Sequence, residues 1–127
     1  RDYLTQRKQF GVAIGTFQAL QHRAVDMFVE TELAKSAAIL AMLKIEEKDA
    51  DERQRAISTA KVQLIESGNL VGRQAIQLHG GIGITDEHDV GLFFKRLHVL
   101  STLFGDELEH TERFSALPTF TRHLRSA

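Results

Sequence analysis

Apolar residues recur at three- and four-residue intervals along most of this chain, a spacing that places them on one face of an α-helix. No glycine or proline occurs between Thr16 and Asp49, and this stretch predicts one amphipathic helix of about 30 residues, roughly 45 Å long. The polar run 46–52 that follows predicts an exposed turn, because few of its side chains can be buried.

Two more long helices follow from the same periodicity. The first of them covers residues 51–78, and Gly68 inside it indicates the close approach of a neighbouring backbone. The second is predicted over residues 86–104, with Thr85 as its N-cap. Its first turn is rich in acidic residues, which the helix dipole favours: Asp86, Glu87 and Asp89.

The ends of the chain add two shorter helices. Residues 2–8 predict one at the start, and residues 106–116 predict the last one, between Gly105 and Pro118. The basic segment 118–127 is expected to be a loose tail. Because the four main helices have short connections, they predict an all-α fold, an up-and-down four-helix bundle in a single domain of 127 residues.

Composition narrows the functional classes. The 16 basic and 17 acidic residues leave a net charge of −1, which gives no electrostatic attraction to nucleic acid or to an anionic membrane. The absence of cysteine excludes disulfides and a cysteine nucleophile, and no apolar run is long enough for a transmembrane helix, so we expect a soluble chain. The chain opens at Arg1 without a methionine, so we expect it to be part of something larger.

The most informative segment is QLHGGIG, residues 77–83, in which three glycines fall within four positions at the end of a predicted helix. Glycine lets backbone N–H groups approach an anion, which predicts a phosphate contact, but it also predicts a helix C-cap. Both interpretations stay open. No strand is predicted before this run, which excludes a Rossmann nucleotide site. His79 and His88 flank the glycines nine residues apart, and this spacing predicts no metal site.

Three blocks carry a resemblance to a known family: QRKQFG at 6–11, FQALQHRAVDM at 17–27 and QLHGGIGITDEH at 77–88. In this order and spacing they resemble the C-terminal helical domain of acyl-CoA dehydrogenases, over residues 4–112. Full-length members of that family are flavoproteins with an N-terminal helical domain, a middle β-domain and this bundle. The resemblance therefore implies that the chain is the C-terminal part of a larger FAD-dependent protein.

The resemblance also implies contacts with FAD. Arg7 corresponds to the arginine that reaches the FAD pyrophosphate of a neighbouring subunit, and a guanidinium fork suits a diphosphate. Gln18 corresponds to a residue that holds the adenosine half, and Gln77 begins a second pyrophosphate contact. The implied cofactor-binding residues are Arg7, Gln9, Phe10, Gln18, Gln77, Gly80 and Gly81. His79 is expected to pack near the cofactor, and His88 is expected at a helix surface or an interface.

The implied reaction is the α,β-dehydrogenation of an acyl-CoA thioester, in which a carboxylate removes the α-proton and the β-hydride passes to the flavin. The implied partners are the acyl-CoA substrate, an electron-transfer flavoprotein as electron acceptor, and further subunits in a homodimer, a homotetramer or a heteromer. Nucleic acid and membranes are not expected as partners, and the bacterial cytoplasm is favoured over the mitochondrial matrix. A bundle that serves only in assembly is the alternative.

The catalytic carboxylate of the family is missing from the position where the resemblance places it. That position falls on Phe104 or Gly105, so Asp106 is the nearest candidate, and Glu107 and Glu109 follow. Asp106 is also placed to cap the last helix, which is the favoured interpretation. Two explanations stay open: the base lies on a helix outside this chain, or the chain comes from a non-catalytic subunit that pairs with a competent partner.

Overall fold

The computed structural model describes residues 2–85 and 87–118, so most of the predicted tail lies outside the described residues. Five α-helices and one small hairpin account for the regular structure of these ranges, with short 3-10 turns at Ile14–Thr16 and Gly80–Ile84. The elements in chain order are α1 Asp2–Gln6, β1 Lys8–Gln9, β2 Val12–Ala13, α2 Gln18–Lys44, α3 Ala50–His79, α4 Val90–Thr102 and α5 Glu107–Ser115.

Helix α3 is the centre of the fold, because α2, α4 and α5 all pack against it. This arrangement confirms the predicted all-α, up-and-down bundle, which is formed by α2 to α5. Its buried apolar residues come mainly from α3 and from the segments that touch it: Ile14, Ala56, Ala60, Ile65, Val90 and Leu117. Over the described ranges, each helix is too short or too polar to span a lipid bilayer.

Helix α2 differs from α3 because none of its residues is buried. Large apolar side chains along its length are exposed, among them Phe28 at 64% and Leu43 at 76%. Exposed apolar surfaces of this kind mark contact sites for other protein segments. The exposed apolar surface of α2 consists of Val25, Phe28, Val29, Leu33, Ile39, Leu40, Met42 and Leu43.

The start of the chain corrects the predicted helix over residues 2–8. Helix α1 ends at Gln6, and β1 pairs with β2 in an antiparallel hairpin in which Lys8 lies opposite Ala13. The two residues between the strands, Phe10 and Gly11, have φ values of 54° and 82°. Positive φ at both positions is typical of the tight turns whose twist matches a hairpin.

The connection between α2 and α3 is shorter than the predicted turn 46–52. Helix α3 begins inside that run because the side chain of Asp49 accepts hydrogen bonds from backbone N–H groups of its first turn. The ammonium group of Lys44 contacts both Glu52 and Glu47. Its hydrogen bonds to Glu52 and then to Glu47 raise the pKa of Lys44 above its usual value.

The beginning of α4 and the glycine within α3 also differ from expectation. Thr85 is not the N-cap of α4, because its hydroxyl donates to the carbonyl of Ile82 at 2.9 Å and the helix begins only at Val90. The prediction of acidic residues in its first turn is wrong, because Glu87 and Asp89 precede the helix, and Asp86 lies outside the described residues. A Cβ at Gly68 would lie 3.4 Å from the Leu97 side chain, so a side chain approaches there, not a neighbouring backbone.

Candidate functional site

Arg7 has a fixed backbone and an exposed side chain. Its N–H donates to the carbonyl of Tyr3 at 2.9 Å, which completes the last turn of α1, and its own carbonyl accepts from the N–H of Ile14 at 2.9 Å. The side chain is exposed, as is that of Gln9 in strand β1. The hairpin therefore presents a cation and an amide on a backbone held from both sides.

Phe10, at the tip of the hairpin, connects it to the start of α2. Its side chain is 92% exposed, and its ring meets the ring of Phe17 edge-on with centroids 6.2 Å apart. Phe17 directly precedes Gln18, the exposed first residue of α2. We call Arg7, Gln9, Phe10 and Gln18 the hairpin group, because the structure places them in and beside one hairpin.

The glycine turn that follows α3 contains two kinds of glycine. Gly80 has φ 62° and its N–H donates to the carbonyl of Gln77, so it caps the helix as one of the two interpretations predicted. A Cβ at Gly80 or Gly81 would meet nothing within 4 Å, whereas a Cβ at Gly83 would lie 2.7 Å from the carbonyl oxygen of Ile76. The first two glycines thus leave open space that side chains would narrow.

Three rings lie at the base of the glycine turn, and we call them the ring cluster: Tyr3, His79 and His88. Tyr3 stacks on His79 with centroids 4.2 Å apart, and His79 meets His88 at 4.4 Å. The hydroxyl of Tyr3 donates to the carbonyl oxygen of His79 at 3.1 Å. The ring cluster joins α1, which leads to Arg7, with the end of α3, which leads to Gly80.

The sequence did not indicate the ring cluster, and it placed His88 differently. His88 lies in the turn before α4, is partly buried, and packs on His79, so it does not lie on a helix surface, and its position at an interface stays a prediction. His79 packs against both other rings, which also meet each other edge-on at 6.1 Å. Tyr3 and His79 are 76 positions apart, and no short-range pattern indicates a contact over that separation. In the described residues, no group of three His, Asp or Glu side chains is placed to hold a metal ion.

The turn after α4 occupies the position where the resemblance places the catalytic carboxylate. Phe104 has φ 61° and is 91% exposed. Its carbonyl accepts a hydrogen bond from Nε2 of the buried His110 at 3.0 Å, and Lys61 donates to the Leu103 carbonyl at 2.8 Å. The turn is therefore held by polar contacts from α3 and α5, and its side chain at this position is a phenyl ring.

The carboxylates near that turn have other partners. Asp106 accepts a hydrogen bond from the N–H of Glu109 at 2.9 Å, which confirms its predicted role as the N-cap of α5. Glu109 pairs with Arg113 one helical turn further on. Glu107 is exposed in the first turn of α5. The role of Asp106 as a catalytic base stays a prediction. In the structure its side chain caps α5.

Comparison with known proteins identifies the family. The profile described as “Acyl-CoA dehydrogenase, C-terminal domain” matches residues 1–112 of this chain. The chain therefore belongs to the acyl-CoA dehydrogenase family, a family of flavin-dependent oxidoreductases, and corresponds to the C-terminal domain of its members. This confirms the resemblance that rested on the three sequence blocks.

Individual relatives agree with this assignment. Acyl-CoA dehydrogenase IpdE2 of Mycolicibacterium smegmatis is 36% identical over 114 residues, which are 90% of this chain and 34% of the relative. The solved structure of a Tcur3481-Tcur3483 steroid ACAD variant has a TM-score of 0.84 and 28% identity, and it covers 99% of this chain and 34% of that chain. A solved FAD-dependent dehydrogenase has a TM-score of 0.81 and 27% identity over 90% of this chain and 30% of that chain. The chain spans about a third of the length of these proteins.

Proposed function

We propose that this chain is the FAD-binding and oligomerisation domain of an acyl-CoA dehydrogenase-like flavoenzyme that catalyses α,β-dehydrogenation of an acyl-CoA thioester. The observation that carries the proposal is the open backbone at Gly80 and Gly81, next to a ring cluster that leads to Arg7. An open glycine turn and a guanidinium fork are the two kinds of group that bind a diphosphate.

In this proposal, different residues of the chain bind different parts of FAD. Arg7 neutralises the diphosphate, and the glycine turn lets the backbone approach it closely. Phe10, Gln9 and Gln18 supply apolar and amide contacts for the rest of the ADP half. When bound, FAD supplies the acceptor for the hydride that leaves the β-carbon of the substrate. In this proposal, segments outside this chain provide the pocket for the flavin ring and the catalytic base.

Assembly is the second task in this proposal, and the exposed apolar surface of α2 supports it. Phe28, Met42 and Leu43 are each more than half exposed, at 64%, 65% and 76%. In an assembled protein this surface packs against another subunit or another part of the polypeptide. The partners we propose are the acyl-CoA substrate, an electron-transfer flavoprotein and further subunits, either identical or different. The solved steroid ACAD relative is named for two proteins, Tcur3481 and Tcur3483, which supports a heteromer as one form of the assembly.

The test is the flavin content and affinity of the natural protein that contains this chain, purified with its own subunits. We expect a yellow protein with the spectrum of oxidised flavin. Arg7→Ala removes a charge-assisted contact and is expected to raise the Kd for FAD roughly 30-fold. Lys8→Ala is the matched control, because it removes an equal charge one residue away and is expected to leave the Kd within about twofold.

A purely structural module is the alternative function, and the same exposed surface of α2 favours it. Colourless protein that stays oligomeric and takes up no added FAD would establish that alternative and contradict the FAD-binding proposal. A yellow protein whose Kd does not change in Arg7→Ala would keep the family assignment but remove Arg7 from the site.

A further inference from the structure

Tyr3 connects α1 to the base of the glycine turn through two contacts with one residue. Its ring stacks on His79, with centroids 4.2 Å apart and an angle of 27° between the ring planes. Its hydroxyl donates to the carbonyl oxygen of the same residue at 3.1 Å. His79 is the last residue of α3, and carbonyls at a helix end have no partner within the helix. The hydroxyl of Tyr3 thus satisfies one of these carbonyls next to Gly80.

His88 contacts both other rings at the base of the glycine turn, because its ring also meets that of Tyr3 edge-on with centroids 6.1 Å apart. Its ring lies 4.4 Å from that of His79, so the two histidines that bracket residues 80–87 are in contact. A hydrogen bond fixes each ring: Nδ1 of His79 donates to the Ala75 carbonyl at 2.7 Å, and Nδ1 of His88 accepts from the N–H of Val90 at 3.2 Å. The ring that Tyr3 stacks on is therefore itself held in one orientation.

Arg7 is coupled to Tyr3 through the backbone. The N–H of Arg7 donates to the Tyr3 carbonyl at 2.9 Å, and the carbonyl of Arg7 accepts from Ile14 at 2.9 Å. A Cβ at Gly15 would lie 2.9 Å from the carbonyl oxygen of Leu4, so the 3-10 turn Ile14–Thr16 that follows the hairpin packs tightly on α1. A displacement of α1 relative to α3 would consequently move the whole hairpin relative to the glycine turn.

We propose that Tyr3 is a positioning residue of the FAD site. It fixes the hairpin that carries Arg7 against the turn that carries Gly80 and Gly81, so that cation and open backbone act on the same diphosphate. Tyr3 acts through Arg7 and not by touching the cofactor. This inference rests on the function proposed above, because it needs a bound diphosphate.

The test measures FAD affinity in the natural protein that contains this chain, purified with its subunits, stripped of flavin and titrated with FAD. Tyr3→Phe keeps the stacked ring and removes only the hydroxyl, and the Kd is expected to rise about fivefold. Tyr3→Leu removes both contacts, and the Kd is expected to rise roughly 20-fold. Thr5→Val is the matched control, because the Thr5 hydroxyl donates within α1, to the Asp2 carbonyl at 2.8 Å, and its loss is expected to leave the Kd unchanged.

A double variant separates positioning from simple stabilisation. If Tyr3 acts by placing Arg7, adding Tyr3→Phe to Arg7→Ala raises the Kd by less than about twofold further, because the group that Tyr3 places has gone. If Tyr3 only stabilises the fold, the two effects multiply, and Tyr3→Phe also lowers the unfolding midpoint of the flavin-free protein.

The measured Kd values decide whether Tyr3 positions Arg7 or only stabilises the fold. Multiplying effects, or an unchanged Kd in both Tyr3 variants while Arg7→Ala weakens binding, overturns the positioning role and leaves the FAD site standing. Wild-type protein that binds no FAD overturns the proposed function, and the positioning role falls with it. A Kd raised in both Tyr3 variants, with little further effect on Arg7→Ala, supports the positioning role.

Discussion

Two turns of this chain place the backbone in the left-handed region after a helix, yet their surroundings are opposite. In the turn after α3, Gly80 has φ 62°, and a Cβ on Gly80 or Gly81 would meet nothing within 4 Å. In the turn after α4, Phe104 has φ 61° and Gly105 has φ 102°, and a Cβ on Gly105 would lie 3.0 Å from Nε2 of His110. The first turn leaves room around Gly80 and Gly81, whereas the second is filled at Gly105 by side chains of α5.

The difference shows that a glycine in the sequence indicates which backbone conformation a turn needs, but not whether the turn binds a ligand. Both turns need φ values that other residues adopt at a cost of about 1 kcal/mol or more. A ligand also needs empty space, and the turn after α3 has it. The turn after α4 also has positive φ, but there the backbone carbonyl of Phe104 is held by His110 and the phenyl ring is exposed.

The largest effect is expected from removing the side chain that fills the second turn. His110 is 4% exposed, and it bonds to the Phe104 carbonyl and to the Ser58 hydroxyl. His110→Leu leaves both groups without this partner, and the free energy of unfolding is expected to fall by about 3 kcal/mol. Urea unfolding of the purified protein measures it. His98→Leu, at an exposed position of α4, is the control and is expected to change the value by less than about 0.5 kcal/mol. Equal losses in both variants would show that the second turn is not held by His110.

A slightly smaller loss of stability is expected from substituting Gly83, the packed glycine of the turn after α3. The Cβ added by Gly83→Ala would lie 2.7 Å from the Ile76 carbonyl oxygen and 3.0 Å from Cβ of His79. Because one of these atoms is helical backbone, it cannot move away cheaply, and the variant is expected to lose about 2 kcal/mol of stability. The same unfolding measurement checks this. An unchanged midpoint would mean that the turn relaxes freely and that its shape is not set by α3.

Substitution of Gly81, the open glycine of the same turn, is expected to change FAD affinity more than stability. Gly81→Ala meets no neighbour and does not require positive φ, so the free energy of unfolding is expected to change by less than about 0.5 kcal/mol. Its methyl group would occupy space proposed for the FAD diphosphate, and the Kd for FAD is expected to rise about tenfold. Titration of the flavin-free protein gives this Kd. A variant that binds FAD like the wild type would place the diphosphate away from Gly81.

The long helices were predictable because their signal is local and repeated. Periodic apolar residues without glycine or proline define α2, and the glycine after His79 ends α3 as predicted. The hairpin was missed because its strands, Lys8–Gln9 and Val12–Ala13, have two residues each, too few to show alternation. The start of α4 was misplaced because the hydroxyl of Thr85 bonds backward to Ile82 instead of forward.

The candidate site was predictable only as separate parts. The residues Arg7, Gly80 and Gly81 were chosen from sequence blocks, but the sequence did not show what connects them. The connection is the contact of Tyr3 with His79, 76 positions away, which depends on how α1 lies against the end of α3. Such a contact follows from the assembled fold and leaves no short-range pattern.

The smallest effect concerns the carboxylate that follows the second turn. Asp106 caps α5 by accepting the N–H of Glu109 at 2.9 Å, so Asp106→Ala is expected to cost about 1 kcal/mol of stability, and Asp106→Asn much less. Because Asp106 is occupied as a cap, turnover of an acyl-CoA substrate by the natural protein is expected to stay intact in both variants. Stopped-flow reduction of the bound flavin measures this. Loss of flavin reduction in Asp106→Asn, with FAD still bound, would make Asp106 the base and the second turn a catalytic one.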